Sequence, residues 1–476
     1  MSAESIKKSF KWSAVERILT QAIQLIVIVA LARILGPEAF GLIGMITIFI
    51  AISQTLTDSG FSSALIRKLD VNEADYATVF YFNIAISVCC YGCIFLLAPY
   101  IASYLEKEIL IELIRYTGVT VLLNGLVIIQ KVQLTRGMDF KTLSKVSVIS
   151  VCIGGGGAII VALLDYGVWA LVVNSILTSI VSTLLLFSAL RWYPKFGFSF
   201  KIFKPLFDFS SKLLTASLLD VFFENIYQLL IGKYYSAISL GYFTQAKLLS
   251  YLPTNTFSMI VQRVTYPYLS RQQNSIDDLR ESFKNILESV SFVFFPLMSI
   301  LCFSSEPLVT IVLGETWTAA SEILSVLCCC YIFYPVHSIN LNLLNVLGRS
   351  DLFLKLEVIK KIIITIVLVF SVNNGVIAMC YGLVVYSIVS NFVNAYYTHR
   401  FIGVKLREQV SISGPILLIS ISSAALGYLS SYHIQNDFLK FFVIVTSSVV
   451  LFALINMMFN KVAARRMWLR IVTSRV

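Results

Sequence analysis

The sequence predicts an all-α polytopic membrane protein with about fourteen transmembrane helices, twelve of them in two related sets of six. Three observations predict it. The chain breaks into apolar stretches, most of ~20 residues or longer, the length that crosses a hydrocarbon core as helix. The connectors alternate between basic and nearly base-free, the pattern left when Lys and Arg are retained on the cytoplasmic side. Of all residues, 58% are hydrophobic and 13% charged, the latter about half the ~25% usual in soluble domains.

The first six spans are expected at 12–35, 40–66, 77–104, 109–132, 143–164 and 167–190. A basic segment follows from Arg191 to Lys204, with Pro194 and Pro205 as breakers. The second six are expected at 207–232, 239–267, 285–305, 321–347, 353–372 and 375–399, and two more at 411–431 and 437–459 precede a basic tail. The expected organisation is thus an N-terminal lobe (1–190), a basic cytoplasmic linker (191–206), a C-terminal lobe (207–402) and a last segment with two helices and the tail (403–476). Connectors of at most about 20 residues leave no room for a folded extramembrane domain. The run from Trp12 to Leu35 is too long for the apolar core of a cleavable signal peptide.

Charge sets the sidedness. Lys7, Lys8 and Lys11, then Arg67 and Lys68, then Lys131, Arg136, Lys141 and Lys145 fall in alternate connectors, and the basic tail ends the series. The other connectors hold only Arg33, Lys107, Lys233 and Lys440, among acids such as Glu38, Glu106, Glu306 and Asp437. Both termini are therefore expected in the cytoplasm of a cell with this protein in its inner membrane. The net charge of +11 is loop charge beside an anionic leaflet and implies no nucleic acid. Nine cysteines lie mostly inside apolar segments, including Cys89, Cys90, Cys93 and the run Cys328 to Cys330, and read as small hydrophobes with no metal or disulfide pattern. No cofactor is expected, and no phosphate loop, nucleophile elbow or large catalytic outer loop is found.

The two sets of six resemble one another. Arg33 stands eight positions before Gly41, and Lys233 eight before Gly241, an offset of 200. Leu-Thr-Arg136-Gly-Met-Asp139 matches Leu-Gly-Arg349-Ser-Asp351 after the fourth helix of each set. Six is an even number, so both copies start on one face and the repeat is parallel, about an axis along the membrane normal.

A charge in the hydrocarbon core costs at least ~2.5–3.5 kcal/mol, so each one calls for a reason. Glu16 and Arg17 lie one to two turns into the first helix, and Asp58 in the second. Asp220 and Glu224 share a face of the seventh helix at i,i+4 spacing, in a polar stripe with Asn225 and Gln228. Lys247 on the eighth helix sits in a polar face expected to hold Phe243, Ser250 and Tyr251. Glu288 lies on the ninth helix, and Glu357, Lys360 and Lys361 on the eleventh, where Lys360 and Lys361, like Arg115, are expected to snorkel and Glu357 to neutralise Lys361. Polar stripes at mid-depth mark substrate or ion paths. Pro253, Pro296 and Pro335 inside spans are hinge candidates, since each removes a backbone hydrogen bond. Gly154 to Gly157 favour close helix packing over a hinge.

Several stretches together resemble the Wzx-type polysaccharide flippases of the multidrug/oligosaccharidyl-lipid/polysaccharide exporter superfamily, most closely the colanic-acid-exporter-like branch. They are Ala32 to Gly41, Thr57 to Arg67, Leu240 to Pro253, Gln262 to Pro267, Leu313 to Trp317 and Gly348 to Asp351. The resemblance implies two six-helix lobes around a central cavity plus two peripheral helices. It implies an undecaprenyl-diphosphate-linked oligosaccharide as substrate, moved between leaflets by alternating access. On that reading Arg17, Lys247, Tyr251 and Gln228 contact the diphosphate or sugar. Asp58, Asp220, Glu224 and Glu288 are candidates to bind H⁺ or Na⁺, and a polysaccharide polymerase and chain-length machinery are candidate partners. Two other readings stay open: an ion-coupled multidrug exporter of the same superfamily, and a polysaccharide polymerase-type membrane enzyme.

Overall fold

The computed structural model describes residues 3–195 and 197–459; the side chains of residues 3–18, 350, 354 and 459 are not among those described. The basic tail from residue 460 therefore lies outside the described residues, as do the side chains of Glu16 and Arg17. The described chain is helical, with no strand among the described residues. In order the helices are α1 (Ala3–Asp58), α2 (Phe61–Arg67), α3 (Glu73–Leu105), α4 (Ile109–Arg136), α5 (Phe140–Leu163), α6 (Trp169–Leu190), α7 (Phe200–Tyr234) and α8 (Ala237–Ser270). Then come α9 (Ile276–Phe303), α10 (Ser305–Val312), a 3-10 turn at Glu315–Trp317, α11 (Ala320–Tyr331), α12 (Tyr334–Val346), α13 (Ser350–Ser371), α14 (Val376–Ile402), α15 (Leu406–Ser430) and α16 (Asp437–Phe459).

Eleven stretches among the described residues are long and apolar enough to cross a membrane. One of them, Leu19–Arg67, covers the first expected span from residue 19 and all of the second. Outside the eleven lie α8 and α13, the latter loaded with Lys355, Glu357, Lys360 and Lys361, so every one of the fourteen expected spans is helical. The chain is a multi-pass membrane protein.

The packing divides into two compact units, Met1–Gly241 and Tyr242–Val476. This division falls beyond the segment 191–206, because α7 packs on α1 and α3 in the first unit. Helix α7 also begins at Phe200, so the connector after α6 is shorter than expected and Pro205 lies within helix instead of ending one. Aromatic packing explains the early start. Phe203 lies 5.7 Å from the fully buried Phe61 and 4.9 Å from Phe82 (ring centroids), and Phe207 stacks on Phe203 at 5.2 Å. The connector is itself held: Trp192 Nε1 donates to Glu73 Oε2 at 2.7 Å and its ring meets Phe80 edge-on at 5.5 Å.

Within the first unit, α1 carries two spans joined without a loop. Gly36 (φ 70°, ψ −178°) turns the chain immediately before Pro37, a conformation open to glycine and closed to most side chains. The second span is broken where the sequence predicts continuity to residue 66. Ser59 (φ 48°) and Gly60 (φ 74°) are both left-handed, and the chain resumes as α2. The break is bridged by side chains: Ser62 Oγ donates to Asp58, and Ser59 Oγ to the Leu56 carbonyl. Helix α2 then ends on Arg136, whose guanidinium donates to the carbonyls of Lys68 (2.6 Å), Ile66 (3.2 Å) and Leu69 (3.2 Å). That satisfies the orphan acceptors of a helix C-terminus.

Each glycine of the proposed repeat meets backbone of the other copy. A Cβ on Gly41 would lie 1.7 Å from the Ala237 carbonyl oxygen, and one on Gly241 would lie 1.9 Å from the Pro37 carbonyl oxygen. Positions 37 and 41 thus contact 241 and 237, a reciprocal pairing of residues 200 apart in sequence. This is the contact a two-fold relation between repeats produces. The glycine run in α5 serves packing: the helix is continuous, Gly154 abuts Thr178 of α6, and Gly155 abuts Val27 of α1.

In the second unit α15 packs against α9 and α16, and α14 against α11, α12 and α13. Trp317 is fully buried, edge-on to Tyr242 at 6.0 Å, which gives the Leu313 to Trp317 stretch a structural role. Helix α9 starts at Ile276, well before the expected 285, so Arg280 and Lys284 are helical instead of loop residues. Arg280 Nε caps the Ile402 carbonyl at 2.8 Å, and Lys284 pairs with Glu408.

Four ion pairs among the described residues each join connectors assigned to one side. Lys233 binds Glu106 at 2.8 Å and Lys440 binds Glu306 at 2.8 Å, all four from the base-poor side. Lys68 binds the buried Asp75 at 2.7 Å and Lys284 binds Glu408, all from the basic side. The alternation read from charge is thereby consistent with the packing.

Candidate substrate and coupling sites

Helix breaks and polar residues gather at two places, one in each unit. In the first unit the break after Asp58 ends α1 beside α7. A cavity of about 440 Å³ opens there, lined by Gln54, Thr55, Asp58 and Gly60 from the α1–α2 segment and by Ser217 and Val221 from α7. Asp58 is half-buried and held by Ser62, and Lys131 of α4 lies within electrostatic reach of it. Lys131 was expected in a cytoplasmic connector. It lies inside α4, more than a turn before its end at Arg136, accessible yet surrounded by protein, as a group facing a concavity is. The expected span 109–132 already held Lys131, and α4 continues past it through Gln133 and Thr135 to Arg136.

Asp220, Glu224 and Gln228 follow Ser217 along α7. Asp220 and Glu224 are exposed on the first unit, and Gln228 is half-buried. Asn225 leaves the expected stripe, since its Nδ2 donates to the Val221 carbonyl of its own helix at 2.8 Å. Arg17 lies on α1, its side chain outside the described residues.

A second, largely apolar cavity of about 460 Å³ lies on the other side of the same α1 segment, between α1, α3 and α7. Leu214 of α7 lines both cavities. Composition carries no sign of it, because apolar residues lining a groove and apolar residues packed in a core look alike in sequence.

In the second unit Lys247 and Tyr251 lie on α8, both half-buried. The expected polar face is narrower than drawn: Phe243 and Ser250 are buried, and Ser250 Oγ donates to the Ala246 carbonyl at 2.8 Å. Tyr251 instead joins Tyr331 (5.7 Å) and Tyr334 (6.5 Å) in an aromatic cluster that flanks the α11–α12 break. Pro335 stands at the start of α12, directly after that break. Pro253 and Pro296 lie inside the continuous helices α8 and α9. Glu288 is half-buried on α9.

Sequence reasoning missed a buried polar network here. His337 of α12 contacts Ser387 (Nε2 to Oγ, 3.3 Å) and Asn394 (Nδ1 to Nδ2, 3.4 Å) of α14. One turn on, Thr398 Oγ1 donates to Asn340 Oδ1 at 2.6 Å, and Gln409 of α15 reaches the same oxygen at 3.4 Å. Ser387, Ser390, Asn394 and Thr398 recur at helical spacing, which was the readable signal. Lys360 does not snorkel. It is 7% exposed, pairs with Glu357, and lies within electrostatic reach of His337. Burial within a membrane favours such pairing over an extended, water-seeking side chain. Arg115 likewise lies over the Phe95 ring at 4.2 Å.

Among the described residues no group of His, Cys, Asp and Glu could hold a metal ion, and the nine cysteines are free thiols. A family model described as polysaccharide biosynthesis protein matches residues 30–322. The chain belongs to this family. Its relatives include the teichuronic acid biosynthesis protein TuaB of Bacillus subtilis, 26% identical over 73% of this chain and 73% of that protein. The lipopolysaccharide biosynthesis protein WzxC of Escherichia coli is 24% identical over 81% of this chain and 79% of WzxC. The fold of this polysaccharide biosynthesis protein is that of the lipid II flippase MurJ in its inward closed conformation. Here the TM-score is 0.76 at 17% identity, over 94% of this chain and 98% of MurJ. An inward-facing multidrug MATE transporter of the MOP superfamily follows with a TM-score of 0.61 at 16% identity, over 82% of this chain and 98% of that one.

Proposed function

We propose that this protein is a secondary transporter that flips lipid-linked oligosaccharide repeat units from the cytoplasmic to the outer leaflet for surface polysaccharide assembly. The observation that carries the reading is a set of ionisable groups within the helices of a flippase-type fold: Lys131 with Asp58 in the first unit, Lys247 in the second. A diphosphate drawn from the headgroup layer needs such cations, each worth up to ~4 kcal/mol at ~4 Å and an effective dielectric near 20. The carrier is undecaprenyl diphosphate, which Arg17 and Lys247 hold in turn, with Tyr251 and Gln228 on the sugar. Asp58, Asp220, Glu224 and Glu288 are the proposed binders of a driving H⁺ or Na⁺. The repeats 1–190 and 207–402 are the bodies that alternate access, with Pro253, Pro296 and Pro335 as hinges. Both termini face the cytoplasm of the inner membrane, and polymerase and chain-length proteins take the product.

The test is mass spectrometry of lipid-linked oligosaccharides, with surface glycan, in cells with and without the gene. The expected result is accumulated carrier-linked repeat units and lost surface glycan. The similarity to a MATE transporter favours a second reading, ion-coupled export of small molecules. Unchanged lipid and glycan profiles, with altered drug resistance, would replace the first reading by the second.

A further inference from the structure

The apolar cavity of the first unit has a shape that a packing defect lacks. Its α3 wall is one stripe, Phe82, Ile86, Cys89, Cys93, Leu97 and Ile101, at spacings of three and four residues. At 1.5 Å per residue that stripe is ~28 Å long. The opposing wall is Phe49, Ile52 and Leu56, with Ser53 and Ser59 beside them, and Phe207 and Leu214 of α7. The α3 wall of the groove therefore runs almost the full ~30 Å of a bilayer core.

We propose that this groove holds the isoprenoid chain of the carried lipid. The identity of that lipid rests on the flippase reading above. Length selects the occupant. A phospholipid acyl chain reaches from its headgroup only to the bilayer midplane, roughly half of ~30 Å. A groove apolar over ~28 Å matches a chain that enters both leaflets, as a long polyisoprenoid does. Adjacency selects the orientation. Leu214 lines both the groove and the polar cavity at Asp58, Gln54 and Ser217, so a lipid with its chain in the groove has that cavity one side chain away for its head. The chain is thus held by protein, not left free in the surrounding lipid, and it keeps register with the head as the protein moves.

The experiment uses the full-length protein in nanodiscs of phosphatidylethanolamine and phosphatidylglycerol, with undecaprenyl phosphate carrying a diazirine on its terminal isoprene. After irradiation, adducts are expected on residues 82–101 and 49–56, and unlabelled undecaprenyl phosphate should lower them about tenfold. Cys93 modification by a maleimide should slow about fivefold with the same lipid, while the exposed Cys152, outside the groove, stays unchanged. Ile86→Trp should lower adduct yield about tenfold, and Leu96→Trp, on a position that does not line the groove, should not. The cysteine measurement needs no substitution and stands if Ile86→Trp fails to fold. Adducts outside the groove, an unprotected Cys93, or equal labelling by a diazirine phosphatidylglycerol would overturn the proposal. The two readings fail separately: groove adducts with normal glycan in cells lacking the gene remove the transport reading, and lost glycan with adducts elsewhere removes the groove.

Discussion

Substituting Gly241 by alanine tests the crossing between the two repeat copies. The new Cβ would stand 1.9 Å from the Pro37 carbonyl oxygen, where ordinary contact begins at 3.4 Å, so the crossing must open by about 1.5 Å. Both opposing groups are backbone, and no side chain can swing away. Overpacking of this kind costs ~1–3 kcal/mol, and a backbone-on-backbone contact belongs at the upper end. Gly41→Ala is equivalent, with 1.7 Å to the Ala237 carbonyl oxygen. Because the contacts are reciprocal, one substitution opens the space that the other needs, and the double variant should cost less than the sum by ~1 kcal/mol or more. The assay is thermal unfolding of the purified protein in detergent, with Gly156→Ala as control, since a Cβ there meets nothing within 4 Å. A Gly241→Ala protein as stable as Gly156→Ala, or a double variant that is strictly additive, would refute the argument.

Arg136→Lys should destabilise almost as much as Arg136→Ala, by ~1.5–3 kcal/mol, because an ammonium cannot reach several carbonyls at the end of α2 as the guanidinium fork does; wild-type melting for the lysine variant would contradict it. Gly155→Ala should cost ~1–3 kcal/mol through Val27, measured against the neutral Gly156→Ala beside it. Lys131→Met should lower glycan export at least about tenfold while leaving protein level and melting unchanged, and full export would remove Lys131 from the path. The Arg349 guanidinium beside Asp351 holds its carboxyl down at about 2. A depressed carboxylate keeps its pairing above its ordinary range and loses it as pH falls through the lowered value. Carboxyl-labelled NMR should therefore place the midpoint near about 2 and not at the ordinary ~3.9.

Spans and sides were legible because a membrane imposes length and charge rules on every segment. Less legible were the places where backbone geometry overrides composition. Gly36 joins two helices that apolarity alone separates, and the left-handed pair Ser59 and Gly60 breaks a span with no drop in apolar content. The Thr57 to Gly60 stretch was singled out for its acid, whereas its glycine and serine end the helix. Aromatic anchors at Phe203 and Phe207 turned half of an expected linker into helix. Candidate sites fared unevenly for a related reason. A charge can be counted in sequence, but whether it snorkels or pairs depends on its neighbours, as Lys360 shows. The network of His337, Asn340 and Thr398 draws on three helices and exists only once they pack.

The charges on α13 bear on how the protein enters the membrane at all. With Lys355, Glu357, Lys360 and Lys361 on one segment, and ~2.5–3.5 kcal/mol for a charge at a helix centre, α13 cannot partition from the translocon by itself. Only a short turn, Val372 to Gly375, separates it from the apolar α14, against which it packs. The two helices must therefore leave the channel as a hairpin, with Lys360 already paired. A reporter fused after Asn374 would stay on the side where α13 begins, whereas one fused after Arg400 would follow a chain that has crossed twice; translocation of the first reporter would show α13 inserting alone. Membrane biogenesis of this chain thus has a waiting step built into its eleventh span.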